Sequence, residues 1–368
     1  MQVAPLLTIW QIVVINFAIF FGHYVIVATT LNFQYGNAGI PNMSNNLSVA
    51  CGAYVITSIV TRICMWLLGM AGVAFRLNWV YDNPYNVAMI SAFLETSPLL
   101  GFSLFMLSLA LALVFGNLLG WVLASISGKM RASTLMVLLY VVAQAGDVIV
   151  ANENWIAGGS NGAFIPNFLS WYPGEDFLIV AVTTMLVGLL CYFVVRAIQN
   201  SPFGRLARSV RENEWTVMSM GKDVGRIRRG VMAFSSGMMA VTGVLIALYY
   251  RYVEYGMFDQ VSYTIWPWLM ITIGGIGNNA GSLVGVIVCV GILKTISTFN
   301  LFYGGVIASS GKAGLFITFE EMALSVILLA FLIYKPNGLL PEKRLQIPGI
   351  DYRRYMMEDP SPGDEQSK

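Results

Sequence analysis

The side chains of this chain that could take part in ionic chemistry are concentrated in one stretch, residues 196–229. Eight of the basic residues lie there, between two long apolar segments: Arg196, Arg205, Arg208, Arg211, Lys222, Arg226, Arg228 and Arg229. Acidic side chains, among them Glu212 and Glu214, are interspersed with them. Mixed charges on a short loop favour electrostatic recognition of a partner surface. The stretch therefore predicts a docking element, with a loop that only sets membrane orientation as the alternative.

Local signals within this stretch predict a helix from 202 to about 220. The Ser201 side chain can cap the free N–H groups, and Pro202 fits the first turn of a helix. Gly221 can supply the left-handed residue that ends the helix.

Groups suited to catalysis or metal binding are sparse elsewhere. His23 is the only histidine, and it lies in an apolar segment where a hydrogen-bonding role is the simpler interpretation. Cys51, Cys64, Cys191 and Cys289 sit in separate apolar runs, which predicts buried packing residues and no disulfide or metal site. A membrane-embedded enzyme would need clustered His, Asp, Glu or Cys, so the sequence predicts a protein that is not an enzyme.

Two polar, glycine-rich breaks interrupt the apolar pattern, near residues 31–46 and 274–281. Irregular backbone at membrane depth is tolerated where it is buried in protein or lines a watery cavity, and transporters use such breaks for substrate. A plain loop or a close helix contact is the alternative at each break. The predicted pathway residues are Asn32, Tyr35, Gly36, Asn37, Gly39, Gly274, Gly275, Gly277 and Asn278. We expect Gly275→Leu to block transport without unfolding the protein.

Composition predicts the class to which the breaks belong. Hydrophobic residues make up 57% of the chain and charged residues 11%, whereas soluble domains are about 25% charged. Apolar runs near the length of a membrane span predict an all-α polytopic membrane protein with about nine transmembrane helices, roughly eight to ten.

The distribution of charge predicts the topology. We assign 1–350 to one transmembrane domain and 351–368 to a disordered tail. The basic loop 199–229 and the C-terminus are placed in the cytoplasm of a multi-pass cell-membrane protein. Residues 76–98 are predicted to form an outside loop with interfacial aromatics, and the helix after the basic loop is predicted to begin near 230. The orientation of the N-terminus stays open.

The docking stretch also carries a resemblance to a known family. SPFGRLARSVRENEWTVMSMG resembles the cytoplasmic coupling segment of branched-chain amino acid ABC transporter permeases. LNFQYGNAG followed by GAY, TLMVLLYVV followed by GGSNG, GGIGNNAGSLVG and KPNGLL are similar to further family segments, in the family's order. The layout looks closer to the longer of the family's two permease subunits.

The resemblance implies a permease subunit of an ATP-driven importer of branched-chain, hydrophobic amino acids. The chain has no phosphate-binding Gly-x-x-x-x-Gly-Lys-Ser/Thr motif, so two separate ATPase subunits would use ATP and Mg, and this chain would bind no cofactor. A second related permease, an extracytoplasmic solute-binding protein and the lipid bilayer would be its other partners, with no nucleic acid. The residues implied to couple to an ATPase are Arg205, Arg208, Arg211, Glu212, Asn213, Glu214, Trp215, Met218 and Gly221.

Other functions stay open at this point. A permease of the same family for urea or short-chain amides would have the same coupling loop. An ion-coupled secondary transporter would need paired titratable groups inside the membrane, for which Asp147, Lys294 and His23 are the candidates.

Overall fold

The computed structural model describes residues 9–308 with gaps at 77, 79, 128, 129, 131 and 175, and in the C-terminal part residues 322, 325, 326, 329, 333–335 and 338–342. The side chains described exclude those of 9, 10, 127 and 298–308. The predicted tail 351–368 lies outside the described residues.

The described part of the chain is almost entirely helical. Its helices are α1 (Ile9–Leu31), α2 (Asn45–Val55), α3 (Thr61–Met70), α4 (Asn83–Glu95), α5 (Pro98–Ser127), α6 (Ala132–Asn152), α7 (Asn154–Ala157), α8 (Asp176–Asn200), α9 (Pro202–Glu212), α10 (Glu214–Ser219), α11 (Val224–Tyr250), α12 (Trp266–Gly274) and α13 (Asn279–Ala308). Three π-helical turns lie between these helices. One extends α1 (Asn32–Asn37), one joins α2 to α3 (Ile56–Val60) and one leads into α12 (Val261–Ile265). Two short antiparallel strands, β1 (Ala163–Phe164) and β2 (Tyr252–Val253), pair with Ala163 opposite Val253.

Seven helices among the described residues are long and apolar enough to cross a membrane. They confirm the prediction of an all-α polytopic membrane protein. The count of about nine stays a prediction, because α12 is too short to qualify and the predicted helix 321–334 lies only partly within the described residues.

Helix α11 is the centre of the bundle. Almost all of its side chains are buried, and small residues let its neighbours approach closely. A Cβ added to Gly120 of α5 would lie 2.7 Å from the Ser236 side chain, and Ser48 of α2 donates a hydrogen bond to Ser236 at 3.1 Å between the two Oγ atoms. Small residues and interhelical hydrogen bonds are the usual means of helix association in lipid, where apolar contact alone gives no preference.

Helices α1 and α8 pack by the same principle. A Cβ at Gly22 would lie 2.7 Å from the carbonyl oxygen of Thr184, and one at Gly188 would lie 2.7 Å from that of Gly22. The opposite face of α8 exposes Leu186, Leu190 and Phe193. Exposed apolar surface of this extent marks a lipid-facing side.

Three sequence predictions about local structure were wrong. Residues 83–95, predicted as part of an outside loop, form α4, whose buried Val87, Ile90 and Leu94 follow helical spacing. The helix after the basic loop begins at Val224 and not near 230, because the Asp223 side chain caps it by accepting a hydrogen bond from the Arg226 N–H at 2.9 Å.

The predicted single helix 202–220 is in fact two helices. Asn213 adopts an extended backbone between α9 and α10, and its side chain accepts a hydrogen bond from the Thr216 N–H at 3.1 Å. An asparagine that binds nearby backbone in this way competes with helix continuation and starts a new helix instead. The predicted caps at the outer ends were correct: Ser201 Oγ accepts from the Gly204 N–H, and Gly221 has a φ of 75°.

Candidate functional site at the junction of two helix breaks

The first break, residues 32–44, begins where α1 ends in its π-helical turn. Asn32 is fully buried there. Its Oδ1 accepts a hydrogen bond from the Gly277 N–H at 2.7 Å, and its Nδ2 donates to Asn279 Oδ1 at 3.3 Å. A buried amide is stable only when its polar atoms are paired, so Asn32 fixes the first break against the second.

The second break, residues 275–278, separates α12 from α13. Gly275 and Gly277 have φ values of 117° and 84°, which side-chain-bearing residues rarely adopt. Asn278 then caps α13, because its Oδ1 accepts from the Ala280 N–H at 3.0 Å. The two breaks predicted from the sequence are thus real, and they touch: a Cβ on Gly36 would lie 2.7 Å from the Gly277 nitrogen.

A third segment, residues 338–342, completes this junction. The N–H groups of Leu339 and Leu340 donate to the carbonyl oxygens of Ile273 and Gly274 at 2.8 and 2.9 Å. They pair carbonyls that the end of α12 would otherwise leave free. Asn278 Nδ2 adds hydrogen bonds to the carbonyls of Leu340 and Pro341 at 3.2 and 3.3 Å. The sequence singled out KPNGLL as a family segment, but no signal in it predicted this contact.

Arg211 connects the docking stretch to the junction. Its Nη2 contacts both carboxylate oxygens of Glu342, at 3.1 and 3.0 Å, and its Nη1 donates to the carbonyl oxygen of Gly36. Both side chains of the ion pair are only partly exposed. Paired hydrogen bonds between a guanidinium and a carboxylate fix geometry as well as charge. One residue of α9 therefore holds the first break and segment 338–342 together.

The remaining pathway residues lie along the first break. The Tyr35 ring packs 4.5 Å from that of Trp268 on α12. Gly39 has a φ of 68° and lies against Arg211. Asn37 is buried, and its Oδ1 has no hydrogen-bond partner among the described residues.

Three further buried polar atoms without a described partner lie on either side of Asn37: Gln34 Nε2 in the first break, and Asn45 Oδ1 and Asn46 Oδ1 at the start of α2. Such a set of unpaired polar atoms is rare in a protein interior, where nearly all buried polar groups are paired. These unpaired amide atoms are suited to bind water or the polar groups of a passing solute.

Helices α9 and α10 form a small folded unit, which we call the coupling element (residues 201–223). Its apolar core is formed by Val210 and Val217 together with Val224 and Ile227 of α11, with Phe203 and Leu206 packed against it. At its boundary with α11, the Arg226 N–H lowers the pKa of the Asp223 carboxyl by bonding its charged form. The unit is thus held by its caps and by a small core that it shares with the start of α11.

The predicted coupling residues divide into two sets. One set is exposed: Trp215 is 80% exposed and Met218 43%, beside Met220 at 72%. Arg205, Glu212, Asn213 and Gly221 are exposed as well.

The second set turns inward. Arg208 donates to the Gln199 carbonyl at 2.8 Å, Arg211 holds the junction, and Glu214 is paired with Arg228. Trp215, Met218 and Met220 thus form an exposed, largely apolar surface, whereas the Glu214 carboxylate has an ion-pair partner within the chain.

The described residues contain no group of three or more His, Cys, Asp or Glu placed to hold a metal ion. The cysteines form no disulfide, and Cys64, Cys191 and Cys289 are buried. Cys51 is half-buried and also unpaired.

Comparisons with known proteins identify the family. The pattern of the family described as branched-chain amino acid transport system, permease component, matches residues 13–334. The chain belongs to this family.

Two relatives illustrate the likeness. The chain is 33% identical over 348 residues to the probable branched-chain amino acid transport permease protein LivM of Methanocaldococcus jannaschii, an alignment that covers 92% of this chain and 96% of the relative. It is 21% identical over 246 residues to the high-affinity branched-chain amino acid transport system permease protein LivM of Escherichia coli, covering 60% of this chain and 53% of the relative. No solved structure gives a significant match. The chain is thus a multi-pass membrane permease.

Proposed function

We propose that the chain is the permease subunit of an ATP-binding-cassette importer that moves branched-chain, hydrophobic amino acids across the cell membrane. The observation that carries this proposal is the Arg211 contact, which joins the coupling element to both the Gly36 carbonyl and Glu342. A loop that only set orientation would have no reason to reach into the junction of two helix breaks. Family membership supports the substrate class.

The proposed partners are two ATPase subunits, a second related permease and an extracytoplasmic solute-binding protein. One ATPase docks on the exposed face formed by Trp215, Met218 and Met220, since aromatic and Met side chains are enriched in interface cores. ATP and Mg are used by the ATPases. This chain needs only to change conformation when the ATPases move.

Movement of the coupling element would shift the junction directly. When ATP draws the ATPases together, the coupling element moves with its ATPase and Arg211 displaces the Gly36 carbonyl and Glu342 at the same time. The first break carries Gln34 and Asn37 and leads directly into Asn45 and Asn46, so its displacement opens or closes these buried polar atoms to solute. The glycines of the second break allow the backbone there to adjust without side-chain obstruction.

The same contacts support a proposal for which side of the membrane each segment faces. The basic loop is cytoplasmic by its charge. Since Glu342 meets Arg211 of this loop, we place segment 338–342 on the cytoplasmic side, which supports the predicted cytoplasmic C-terminus. Helix α1 ends at the same junction, which supports a position for Ile9, at its other end, on the opposite side.

The first test is uptake of labelled leucine and labelled urea by proteoliposomes that contain the chain, its partner permease, the ATPases and the binding protein. We expect leucine uptake that requires ATP on the ATPase side. ATP-dependent uptake of urea would make urea the substrate and would leave the proposed ATP-driven mechanism unchanged. Uptake by the chain alone, driven by an ion gradient, would overturn the proposal.

Docking is tested separately with Trp215→Ala. Loss of the large exposed ring should weaken co-purification of the ATPases about tenfold or more, as for an interface hot spot. Trp155→Ala is the matched control, because that ring is 57% exposed at the other end of the molecule. Equal retention of the ATPases by both variants would place the docking face elsewhere.

A further inference from the structure

A cavity lies at the end of the bundle far from the junction. Its volume is about 460 Å³, within the roughly 300–1,000 Å³ of small-molecule sites. Tyr250, the last residue of α11, lines it, whereas the first residue of α11 follows the coupling element. Trp266, at the start of α12, lies on its wall, and Gly274, at the end of α12, lies at the junction. Helix α12 therefore runs from the cavity to the second break.

The walls of this cavity combine apolar surface with charges of both signs. Phe20, Tyr24, Met257, Tyr263 and Trp266 supply aromatic and thioether surface. The rings of Tyr24 and Trp266 are 6.2 Å apart between centroids.

Lys294 is the only charged residue in the sequence of α13, and it lies within a candidate membrane span. Its Nζ lies 3.2 Å from the Phe20 ring centroid. Ionisable residues inside a span are costly and are by default candidates for function. Neither the coupling element nor the junction uses Lys294.

Asp259 and Glu254 provide the opposite charge at the rim. Both are exposed and line the same cavity, and neither has a salt-bridge partner among the described residues. Asp259 Oδ2 accepts from the Ser262 N–H at 2.9 Å, which caps the helix leading into α12. Glu254 Oε2 accepts from Tyr252 Oη at 3.4 Å. Both carboxylates keep further acceptor capacity for a cationic group.

We propose that this cavity binds a free amino acid as a zwitterion, with Lys294 holding its carboxylate, Asp259 and Glu254 holding its ammonium group, and the aromatic wall holding an apolar side chain. The inference rests on the proposed function for the direction of entry, from the cavity towards the junction. It also selects between the open substrates, because urea and short amides carry no charges that would need these groups.

The test is equilibrium binding to the full chain in lipid nanodiscs, without ATPases, ATP or binding protein. The probes are leucine, leucinol, which lacks the carboxylate, and 4-methylpentanoate, which lacks the ammonium group. We expect Lys294→Met to weaken leucine binding at least tenfold and leave leucinol binding unchanged. Asp259→Asn combined with Glu254→Gln should weaken leucine and leave 4-methylpentanoate unchanged.

These substitutions keep the fold testable. Asparagine caps a helix as well as aspartate, so Asp259→Asn removes charge without removing the cap. Arg76→Met is the matched control, since Arg76 is an exposed cation that pairs with Asp82 outside the cavity. Arg76→Met should leave the binding affinity for all three ligands unchanged.

The outcomes separate this inference from the proposed function. Leucine binding that is absent, or equal in wild type and Lys294→Met, overturns the cavity as an amino acid site while ATP-driven uptake can still stand. Charge-dependent binding together with failed ATP-driven uptake supports the site and overturns the importer. Urea that competes with leucine in every variant would also overturn the zwitterion site.

Discussion

The two breaks that meet at the junction are built in different ways. The first break depends on side chains: the Asn32 amide bonds it in place, and buried amide atoms of Asn37 and its neighbours have no described partner. The second depends on backbone: glycines with positive φ let the chain turn, and segment 338–342 pairs its carbonyls. The first break is thus suited to contact solute, and the second is suited to hold a tight backbone contact.

This difference predicts the largest effect at Gly275. A side chain there must adopt a φ of 117° and would meet the Leu340 carbonyl. Strained backbone of this kind costs about 1–3 kcal/mol before any clash. We therefore expect Gly275→Leu to lower the thermal midpoint strongly and reduce folded protein, measured by fluorescence-detected size exclusion after heating. This revises our sequence expectation that the variant would lose transport alone.

Gly291→Ala is the control for this prediction, because a Cβ at that position of α13 meets nothing closer than 3.9 Å. It should leave the thermal midpoint unchanged. A Gly275→Leu protein as stable as wild type would mean that the second break is not a tight backbone contact.

The next largest effect is expected at Arg211, which joins the first break to segment 338–342. Arg211→Met keeps the length of the side chain but removes the contacts with the Gly36 carbonyl and Glu342. We expect leucine uptake to fall at least tenfold while ATP hydrolysis by the assembled importer persists. Lys222→Met, an exposed charge of the same element, should leave uptake unchanged. Coupled transport in Arg211→Met would remove the link from the mechanism.

The sequence located both breaks because their cause is local. Asparagine, glycine and proline interrupt an apolar run wherever the chain folds, so residues 31–46 and 274–281 were visible as exceptions. The caps at Ser201 and Gly221 were visible for the same reason. Helix α4 was missed because the Val87, Ile90 and Leu94 pattern was outweighed by the tyrosines and polar residues around it.

The contacts across the junction could not be read from the sequence. Arg211 and Glu342 are 131 positions apart, and nothing in a basic loop shows which arginine points inward. The resemblance implied that Glu214 couples to an ATPase, which stays a prediction, but nothing in the sequence showed that its carboxylate would pair with Arg228. Which face of a charged helix meets its own protein depends on tertiary packing, and here α11 and the breaks decide it.

A third prediction compares two asparagines of the first break. Asn32 has both amide atoms paired, so Asn32→Ala leaves the Gly277 N–H unsatisfied and should lower stability by about 1–3 kcal/mol. The Asn37 Oδ1 has no described partner, so Asn37→Ala should leave the thermal midpoint nearly unchanged and reduce leucine uptake. The measurements are thermal stability and initial uptake rate on the same preparations. Equal losses of stability in the two variants would argue against a solute role for Asn37.

The smallest effect is expected at Asn278, which serves the second break in two ways. Its Oδ1 caps α13, and its Nδ2 donates to the carbonyls of Leu340 and Pro341. Asn278→Ala removes both the cap and the hydrogen bonds to segment 338–342, which we call the tether. Loss of the cap should lower the free energy of unfolding by about 1 kcal/mol, and loss of the tether should lower it by a further fraction of that. Asn278→Ser retains a capping oxygen but has no group that reaches segment 338–342. A thermal midpoint of Asn278→Ser that lies between those of the wild type and Asn278→Ala would separate the two contributions. Equal thermal midpoints of the two variants would mean that the tether, not the cap, stabilises the second break.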